Sequence, residues 1–405
     1  MQPDLAPPGW EHVGRVLVMR LDNVGDVVMT GPVFRTLRRA LPGARLVLMT
    51  SPAGAQVAPL LPCVDDVLVH RALWQDARAA MPLDPARELA LVERLRSGHF
   101  DAAVILTSFR QTPFPAAYAC YLAGIPIRLG RSALFGGGVL SPCAPAVPDD
   151  LHQVARNLSL LEAAGFTAAR RDLELRVPAS AREGAARVLA EHGIDPERPC
   201  VVVAPGASCS ARQYDVERFA AVAAGVADAA GMPVVVVGSP RETALAEHVA
   251  SRARAAVPRG RPSVAIESVA GRTTVPELAA LVEHAALVVC NDSGPMHMAD
   301  ALRRPMVVLF SGTDLESQWA PRSSPAVLLR RPTDCAPCYR FDCPYGLPCL
   351  DIAPGRVVRE ALALLGRPTP ETAPATTREL RHAHASRAHL ARPRQLPVLP
   401  GADAA

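Results

Sequence analysis

The stretch RVLVMRLDNVGDVVMTGPVFRTLRR, residues 15–39, decides the fold. It opens with the apolar run 15–20, passes through a short loop that holds Gly25 and Asp26, and continues into a segment of helical period at 32–41. An apolar run without alternation is typical of a parallel strand that is buried on both faces. Because strand–loop–helix is the repeating unit of α/β proteins, this stretch predicts an open parallel sheet.

The same alternation recurs along most of the chain. Further apolar runs predict strands at 45–49, 102–106, 201–204, 234–237, 287–290 and 306–310. Segments of helical period predict helices at 85–97, 180–192, 215–230, 240–255 and 275–284. The alternation falls into two sets, separated by the Pro-containing step RVPAS. Two α/β domains whose strand ends face a common crevice predict a ligand site in the cleft between them.

These patterns divide the chain into four parts. We predict a flexible N-terminus at 1–12, a Rossmann-like domain at 13–176, a second Rossmann-like domain at 177–366, and a tail at 367–405. The tail is rich in Pro and Ala and has no apolar period; its six Arg, two Glu and one Asp give it a charge of +3. This composition predicts a disordered basic tail.

Composition excludes several classes of protein. The chain has 405 residues, 49% of them hydrophobic and 20% charged, which is ordinary for a globular protein. No apolar run approaches the ~20 residues of a membrane span, and the N-terminus lacks a secretory pattern, so we expect a cytoplasmic protein. A net charge of +4 argues against a dedicated nucleic-acid binder.

The chain contains no Lys, since all 43 basic residues are Arg, and this excludes two further kinds of site. A Walker A phosphate loop and a Lys Schiff base both need Lys and are excluded. No GxGxxG is present, which argues against a dinucleotide-dependent oxidoreductase. The chain also lacks the G-x-S-x-G and H-E-x-x-H motifs of common hydrolases.

Asp26 is the first candidate for chemistry. It follows a strand and lies near the start of a helix, where the helix dipole stabilises a carboxylate. A carboxylate that faces a cleft can remove a proton from a hydroxyl nucleophile. Asp is also a favoured helix cap, and on spacing alone capping is the more common role. Gly25 gives the loop its backbone freedom.

The segment 201–219, VVVAPGASCSARQYDVERF, predicts an anion site after a strand. Small residues in the turn, among them Gly206 and Ser208, leave backbone N–H groups free to meet an anion. Arg212 follows and can offer a forked pair of donors to a phosphate. A plain strand–turn–helix joint with a surface Arg would have the same sequence.

Two further strand ends carry polar residues. In LVVCNDSGPMHMADAL, residues 287–302, a strand runs into a helix start that suits a pyrophosphate. The candidate residues there are Asp292, Ser293, Gly294 and His297. The alternative is a capped helix with an incidental His. After the strand at 234–237, Glu242 opens a helix where an acidic side chain can accept hydrogen bonds from ribose hydroxyls, although Glu is common in first turns.

Four of the ten cysteines cluster in DCAPCYRFDCPYGLPC, residues 334–349. They are Cys335, Cys338, Cys343 and Cys349. In a reducing compartment, clustered Cys are more often a metal site than disulfides, and four thiolates can hold zinc or an iron–sulfur cluster. A Pro-stiffened loop with free thiols explains the pattern equally well. We attach catalysis to neither interpretation.

Taken in order, these motifs resemble the family 9 glycosyltransferases, the ADP-heptose:lipopolysaccharide heptosyltransferases and their relatives. The resemblance spans about 13–366. RLDNVGDVVMTGP is similar to the family's R-x-x-x-x-G-D-x-x-x-T-x-P segment, and the PGAS turn is similar to its donor-domain turn. DSGPMH resembles its [ST]-G-x-x-H helix start, and the Cys-rich stretch resembles one found in some members.

The resemblance implies a GT-B architecture that moves a heptose-like sugar, with inversion and without a catalytic metal. The donor, a nucleotide-diphosphate-sugar, would lie on the C-terminal domain. The acceptor, a glycan or glycolipid of the cell envelope, would lie on the N-terminal domain, with peripheral contact at the inner face of the membrane. Asp26 matches the proposed general base. Arg212 replaces the usual Lys, Glu242 falls near the residue that contacts ribose, and residues 292–297 match the phosphate segment.

Two other functions fit the same residues. One is a non-catalytic nucleotide-sugar binding protein, against which Asp26 in an intact N-terminal motif is the main argument. The other is a metal-dependent regulator that is built around the Cys cluster.

Overall fold

The computed structural model describes residues 6–76, 79–168, 170–257 and 264–368. The tail predicted at 367–405 lies outside the described residues, except for its first two positions.

The first α/β domain is built on six strands that all pair in parallel. The strands are β1 (Arg15–Arg20), β2 (Arg45–Thr50), β3 (Asp66–Val69), β4 (Ala102–Ile105), β5 (Ile127–Arg131) and β6 (Cys143–Ala144). The helices are α1 (Val24–Val28), α2 (Gly31–Ala40), α3 (Pro52–Ala55), α4 (Pro85–Ser97), α5 (Phe114–Leu122) and α6 (Gln153–Glu162). The strand order is β3-β2-β1-β4-β5-β6.

The second domain repeats this plan. Its helices are α7 (Ala179–Glu191), α8 (Val216–Ala230), α9 (Thr243–Ala256), α10 (Val275–His284), α11 (Gly294–Ala301), α12 (Glu316–Trp319) and α13 (Pro354–Leu364). Its strands are β7 (Val201–Ala204), β8 (Val234–Val236), β9 (Ile266–Ser268), β10 (Leu287–Asn291), β11 (Met306–Leu309) and β12 (Ala326–Leu329). The order β12-β11-β10-β7-β8-β9 is the order of the first sheet, read from its other edge. The predicted class, two parallel-sheet α/β domains, is confirmed.

The strand order determines where ligands can bind. In each sheet the chain moves outward from its first strand and then returns to that strand's other side, so the order reverses between β1 and β4 and between β7 and β10. In open α/β sheets, ligands bind outside the carboxyl ends of the strands at such a reversal. The loops that follow these four strands are therefore the natural place for a site.

Alternating side chains on the strands build three apolar layers. Val16 and Val18 of β1 join an inner cluster, whereas Leu17 and Met19 face an outer one. Val202 of β7 belongs to the same inner cluster. The other face of the second sheet packs against a third apolar cluster. Burial of apolar surface in the shared inner layer therefore stabilises both sheets together.

Residues 6–12, the described part of the segment predicted to be flexible, pack against the first domain. Trp10 is only 3% exposed, and its ring packs edge-on against Phe166, with the ring centroids 4.9 Å apart. A buried aromatic side chain of this size anchors residues 6–12 to the end of α6.

Among the described residues, no helix combines the length and the apolar character that a membrane crossing requires.

Candidate functional site

The helix that follows β1 meets the helix that follows β10. A Cβ on Gly25 in α1 would lie 2.5 Å from Cδ2 of His297 and 3.5 Å from Cα of Gly294. A Cβ on Gly294 would lie 3.3 Å from Cγ1 of Val24. Glycine at both positions lets the two helix starts approach closely, and this brings Asp26 beside the segment 292–297.

Adding one methyl group at this contact tests it. Gly25→Ala places a Cβ against the His297 ring, so we expect overpacking to lower the free energy of unfolding by about 1–3 kcal/mol. We also expect turnover to fall, because relief of the clash separates the two helix starts. Gly43→Ala is the control, since a Cβ there meets nothing within 4 Å. Equal denaturation midpoints and equal turnover for the two variants would contradict the close contact.

Asp26 is held in a fixed orientation. Its Oδ1 accepts hydrogen bonds from Arg20 Nη2 at 2.5 Å and from Ser108 Oγ at 3.2 Å. Its Oδ2 accepts the backbone N–H of Asn23 at 3.2 Å, as part of a capping box on α1. Asn23, not Asp26, therefore occupies the N-cap position, and Asp26 contributes to the cap from the third helical position. A carboxylate has about four acceptor positions, so these three bonds leave room for one more donor.

Arg20 and Asp22 form the support beneath Asp26. The guanidinium of Arg20 is fully buried, and its Nε lies 2.9 Å from Asp22 Oδ2. Asp22 Oδ1 accepts a hydrogen bond from Gln111 Nε2 at 2.6 Å. Burial raises the pKa of Asp22, against the attraction of Arg20. One cation thus holds two carboxylates at the end of β1.

Asn291, the last residue of β10, joins β10 to the turn after β7. Its Nδ2 donates to the carbonyl of Pro205 at 2.8 Å, and its Oδ1 accepts the N–H of Tyr214 at 3.1 Å. Asn291 is completely buried. It fixes the turn that carries the predicted anion-binding residues.

Gly206, in the turn after β7, and Glu242, after β8, lie in contact. A Cβ on Gly206 would lie 1.9 Å from Oε1 of Glu242, so the carboxylate lies directly against the backbone of the turn. Oε2 of Glu242 accepts the N–H of Ser239 at 2.7 Å. Ser208 lies exposed in the same turn. The loops after β7 and β8 thus form one polar surface.

Arg212 lies among acidic side chains. Its Nη2 donates to Asp314 Oδ2 at 2.5 Å and its Nε donates to Thr313 Oγ1 at 3.1 Å. Its Nη1 is 3.8 Å from Asp292 Oδ2, an atom without a hydrogen-bond partner in the described part of the chain. Burial raises the pKa of Asp292 to about 6, although Arg212 opposes this shift.

The start of α11 offers backbone donors. Ser293 occupies the cap position, but its hydroxyl donates to the carbonyl of Asn291 at 3.2 Å instead of capping the helix. First-turn N–H groups without a side-chain cap suit an anion. Burial lowers the pKa of His297 to about 4, although the negative charge of Asp26 acts to raise it. The imidazole of His297 is therefore neutral near pH 7.

Aromatic contacts cross the cleft beside this site. Phe109, in the loop after β4, packs edge-on against Trp319 of α12, with the ring centroids 5.7 Å apart. The guanidinium of Arg110 lies 3.8 Å from the ring centroid of Tyr339 in the Cys-rich segment. The loop after β4 thus contacts both the second domain and, through Ser108, Asp26.

The Cys-rich segment packs next to Gly312, and its cysteines are free thiols. Cys349 is buried, whereas Cys335 is exposed. In the ranges that the structure describes, no three His, Cys, Asp or Glu side chains are grouped so that they could hold a metal ion. The side chains as placed do not fit a closed thiolate site. A metal at Cys335, Cys338, Cys343 and Cys349 stays a prediction from the sequence.

The residues that hold the predicted site residues in place were not predicted from the sequence. They are Arg20, Asp22, Ser108, Gln111, Asn291, Thr313 and Asp314. A signal was available for some of them: Arg20 is a charge at the end of an apolar run, and Asp314 belongs to the polar SGTD stretch after β11. Polar residues follow β4 and β11, just as they follow β1, β7 and β10, and this is the signal for candidate site residues at the end of each strand.

Comparisons with known proteins agree with this architecture. Residues 88–347, well over half of the chain, match the profile of glycosyltransferase family 9 (heptosyltransferase). Lipopolysaccharide heptosyltransferase 3 of Escherichia coli K12 is 27% identical over 300 residues, which cover 72% of this chain and 80% of that protein. Lipopolysaccharide heptosyltransferase 2 of Salmonella typhimurium LT2 is 28% identical over 365 residues, which cover 87% of this chain and 98% of the relative.

A solved structure shares the fold. The E. coli ADP-heptose lps heptosyltransferase II superposes with a TM-score of 0.66 at 24% identity, over 87% of this chain and 98% of that chain. The GT-B architecture that the resemblance implied is confirmed. The chain belongs to glycosyltransferase family 9, the heptosyltransferase family, and it is a glycosyltransferase.

Proposed function

We propose that this protein transfers a heptose from ADP-heptose to a hydroxyl of a lipopolysaccharide-type acceptor, with inversion at the anomeric carbon. The observation that carries the proposal is the contact of α1 with α11, which puts Asp26 beside residues 292–297. The relatives, which are lipopolysaccharide heptosyltransferases and an ADP-heptose heptosyltransferase, indicate the donor and the acceptor class. Because those relatives are named as transferases, the alternative of a non-catalytic binding protein is not favoured.

Asp26 acts as the general base in this proposal. Its carboxylate takes the proton of the acceptor hydroxyl, and the hydroxyl oxygen forms a bond to the anomeric carbon. The bond from that carbon to the diphosphate breaks on the opposite face, and its electron pair leaves with ADP. Arg20 and Ser108 hold the carboxylate oxygen Oδ1, so the base is oriented before the acceptor arrives.

The second domain stabilises the leaving group. The uncapped start of α11, with Ser293 and Gly294, and the guanidinium of Arg212 supply donors where negative charge grows on the diphosphate. Neutral His297 can donate one further hydrogen bond. In this proposal Glu242, which lies against Gly206, accepts hydrogen bonds from the ribose. In the same proposal Asp292 Oδ2, which has no hydrogen-bond partner among the described residues, accepts one from a sugar hydroxyl.

The direct test supplies both substrates. Incubation with ADP-heptose and a heptose-deficient core oligosaccharide should release ADP and yield an acceptor that is heavier by one heptose. NMR of the product should show the anomeric configuration inverted relative to the donor. Tight ADP-heptose binding with no transfer to any core acceptor would favour the binding protein instead.

Arg212→Gln tests the donor site. Charge-assisted hydrogen bonds contribute about 1.5–3 kcal/mol, so we expect the Kd for ADP to rise roughly 10–100-fold. Isothermal titration calorimetry measures this Kd. Arg182→Gln is the control, because Arg182 pairs with Glu283 on the exposed surface of the second domain. An unchanged Kd in folded Arg212→Gln would remove Arg212 from the donor site.

The proposal also includes contact of the enzyme with a membrane. The relatives are named lipopolysaccharide heptosyltransferases, and an acceptor of this class carries a lipid. We place the reaction in the cytoplasm, at the inner face of the membrane, with the protein as a peripheral partner.

A further inference from the structure

The first domain exposes a group of apolar side chains on α5 and on the loop at 132–139. We call this surface the aromatic face. It comprises Tyr118, Tyr121, Leu122, Leu134 and Phe135, which are 43–97% exposed. Phe135, at 97%, stands almost wholly in solvent. Single exposed apolar residues are common, but a group with three aromatic rings on one surface points to an interaction site.

Contacts join the helix and the loop into one surface. A Cβ on Gly136 would collide with the ring of Phe114, so the loop lies directly against the start of α5. Tyr118 and Tyr121 stack on each other, with the ring centroids 6.4 Å apart. The guanidinium of Arg128 lies 5.4 Å from the ring centroid of Tyr121.

The charge beneath the aromatic face is positive. Arg128 donates to the carbonyls of Ile125 and Val139 at 2.6 and 2.7 Å, and Arg131 donates to Pro145 O and Ser159 Oγ. Neither Arg forms an ion pair with any carboxylate of the described residues. The sequence explains this, because 102–148 contains no Asp and no Glu. Arg128, which has no carboxylate partner among the described residues, therefore lies buried under the ring of Tyr121. Arg131 lies on the other face of the sheet, against α6.

We propose that the aromatic face docks on a membrane surface that contains anionic lipids. Aromatic and Leu side chains enter the headgroup region, and uncompensated positive charge attracts anionic headgroups. The inference rests on the proposed function, since a lipid-linked acceptor requires the enzyme to work at a membrane.

The chain connects the aromatic face with the site. The loop between β4 and α5 carries Ser108 and Gln111, which contact Asp26 and Asp22, and it leads directly into α5. A membrane held by α5 and the 132–139 loop would therefore lie beside the first-domain side of the cleft. An acceptor anchored by its lipid then reaches Asp26 without leaving the membrane.

Vesicle co-sedimentation of the full chain tests the proposal. We expect binding to phosphatidylcholine vesicles that contain phosphatidylglycerol, and weak binding to phosphatidylcholine alone. The double variant Leu134→Ser, Phe135→Ser should lose roughly tenfold or more of its binding to the anionic vesicles, because two apolar side chains no longer enter the interface. The control is Tyr345→Ser, which removes a side chain that is 63% exposed on the second domain.

Three results would overturn docking. They are equal binding of the double variant and the wild type, no binding by the wild type, and a wild-type dimer that becomes monomeric in the double variant by light scattering. The last result would assign the aromatic face to a second copy of the chain. Transfer to a water-soluble core oligosaccharide separates this inference from the proposed function. Both variants should transfer at the wild-type rate, and a wild type that fails to transfer would refute the function itself.

Discussion

Asp26→Asn should lower turnover about 10²–10⁴-fold, which is the usual loss when a general base is removed. Asn keeps the shape of the side chain, and its single amide oxygen can accept from Arg20 or from the N–H of Asn23 but not from both. We expect the α1–α11 contact to persist with one of these hydrogen bonds lost. Binding of ADP should be unchanged, because the proposed diphosphate donors lie on the second domain. The measurement is kcat with saturating donor and acceptor, together with the calorimetric Kd for ADP.

The control for this variant is Asp66→Asn, which changes a surface carboxylate paired with Arg45 on the same domain. It should leave kcat and the Kd for ADP at wild-type values. Turnover in Asp26→Asn that equals turnover in Asp66→Asn would remove Asp26 from the chemistry. A loss of ADP binding in Asp26→Asn would instead mean that Asp26 shapes the donor site.

Arg20→Leu should lower the free energy of unfolding by about 3–5 kcal/mol, because it leaves buried carboxylates without their cation. Arg20 is fully buried between Asp22 and Asp26, at 2.9 and 2.5 Å. Urea denaturation measures the loss. Arg252→Leu is the control: Arg252 pairs with Glu217 in an exposed ion pair, and such pairs contribute about 0–1 kcal/mol. Similar losses in the two variants would contradict the account of Arg20.

The pH dependence of Arg20→Leu follows from Asp22. Burial already raises the pKa of Asp22 in the folded protein, and removal of Arg20 takes away the main opposing attraction. A folded-state pKa above the unfolded value means that the folded state binds more protons, so stability falls as pH rises from about 4 upward. The deficit of Arg20→Leu relative to wild type should therefore grow as pH rises above about 4. A deficit that shrinks over this range would show that Asp22 is not the group left unpaired.

The central strands could be predicted because they are buried on both faces. β1, β4, β7, β10 and β11 read as continuous apolar runs, and each matches its prediction to within one residue. The strands β3, β5, β6, β9 and β12 carry no such signal. β3, for instance, begins with exposed Asp66 and ends with Val69, which is 41% exposed. A short strand at a sheet edge is fixed by its neighbour and not by its own pattern.

The candidate site was predictable in its parts but not in its assembly. Polar residues after buried strands identified Asp26, Arg212, Glu242 and the 292–297 segment, because parallel strands end at one edge of the sheet. The approach of Gly25 to His297 joins residues about 270 positions apart in sequence. Nothing local to either motif indicates it. The same holds for Ser108, which reaches Asp26 from the end of another strand.

The most direct test of the account is a crystal structure of this protein with a non-reactive ADP-heptose analogue. We expect the diphosphate at the start of α11, within hydrogen-bond distance of Ser293 and Arg212. We expect the anomeric carbon on the side of the cleft that faces the Asp26 carboxylate, with space for one acceptor hydroxyl between them. A diphosphate bound elsewhere, or an anomeric carbon shielded from Asp26 by protein, would contradict the account.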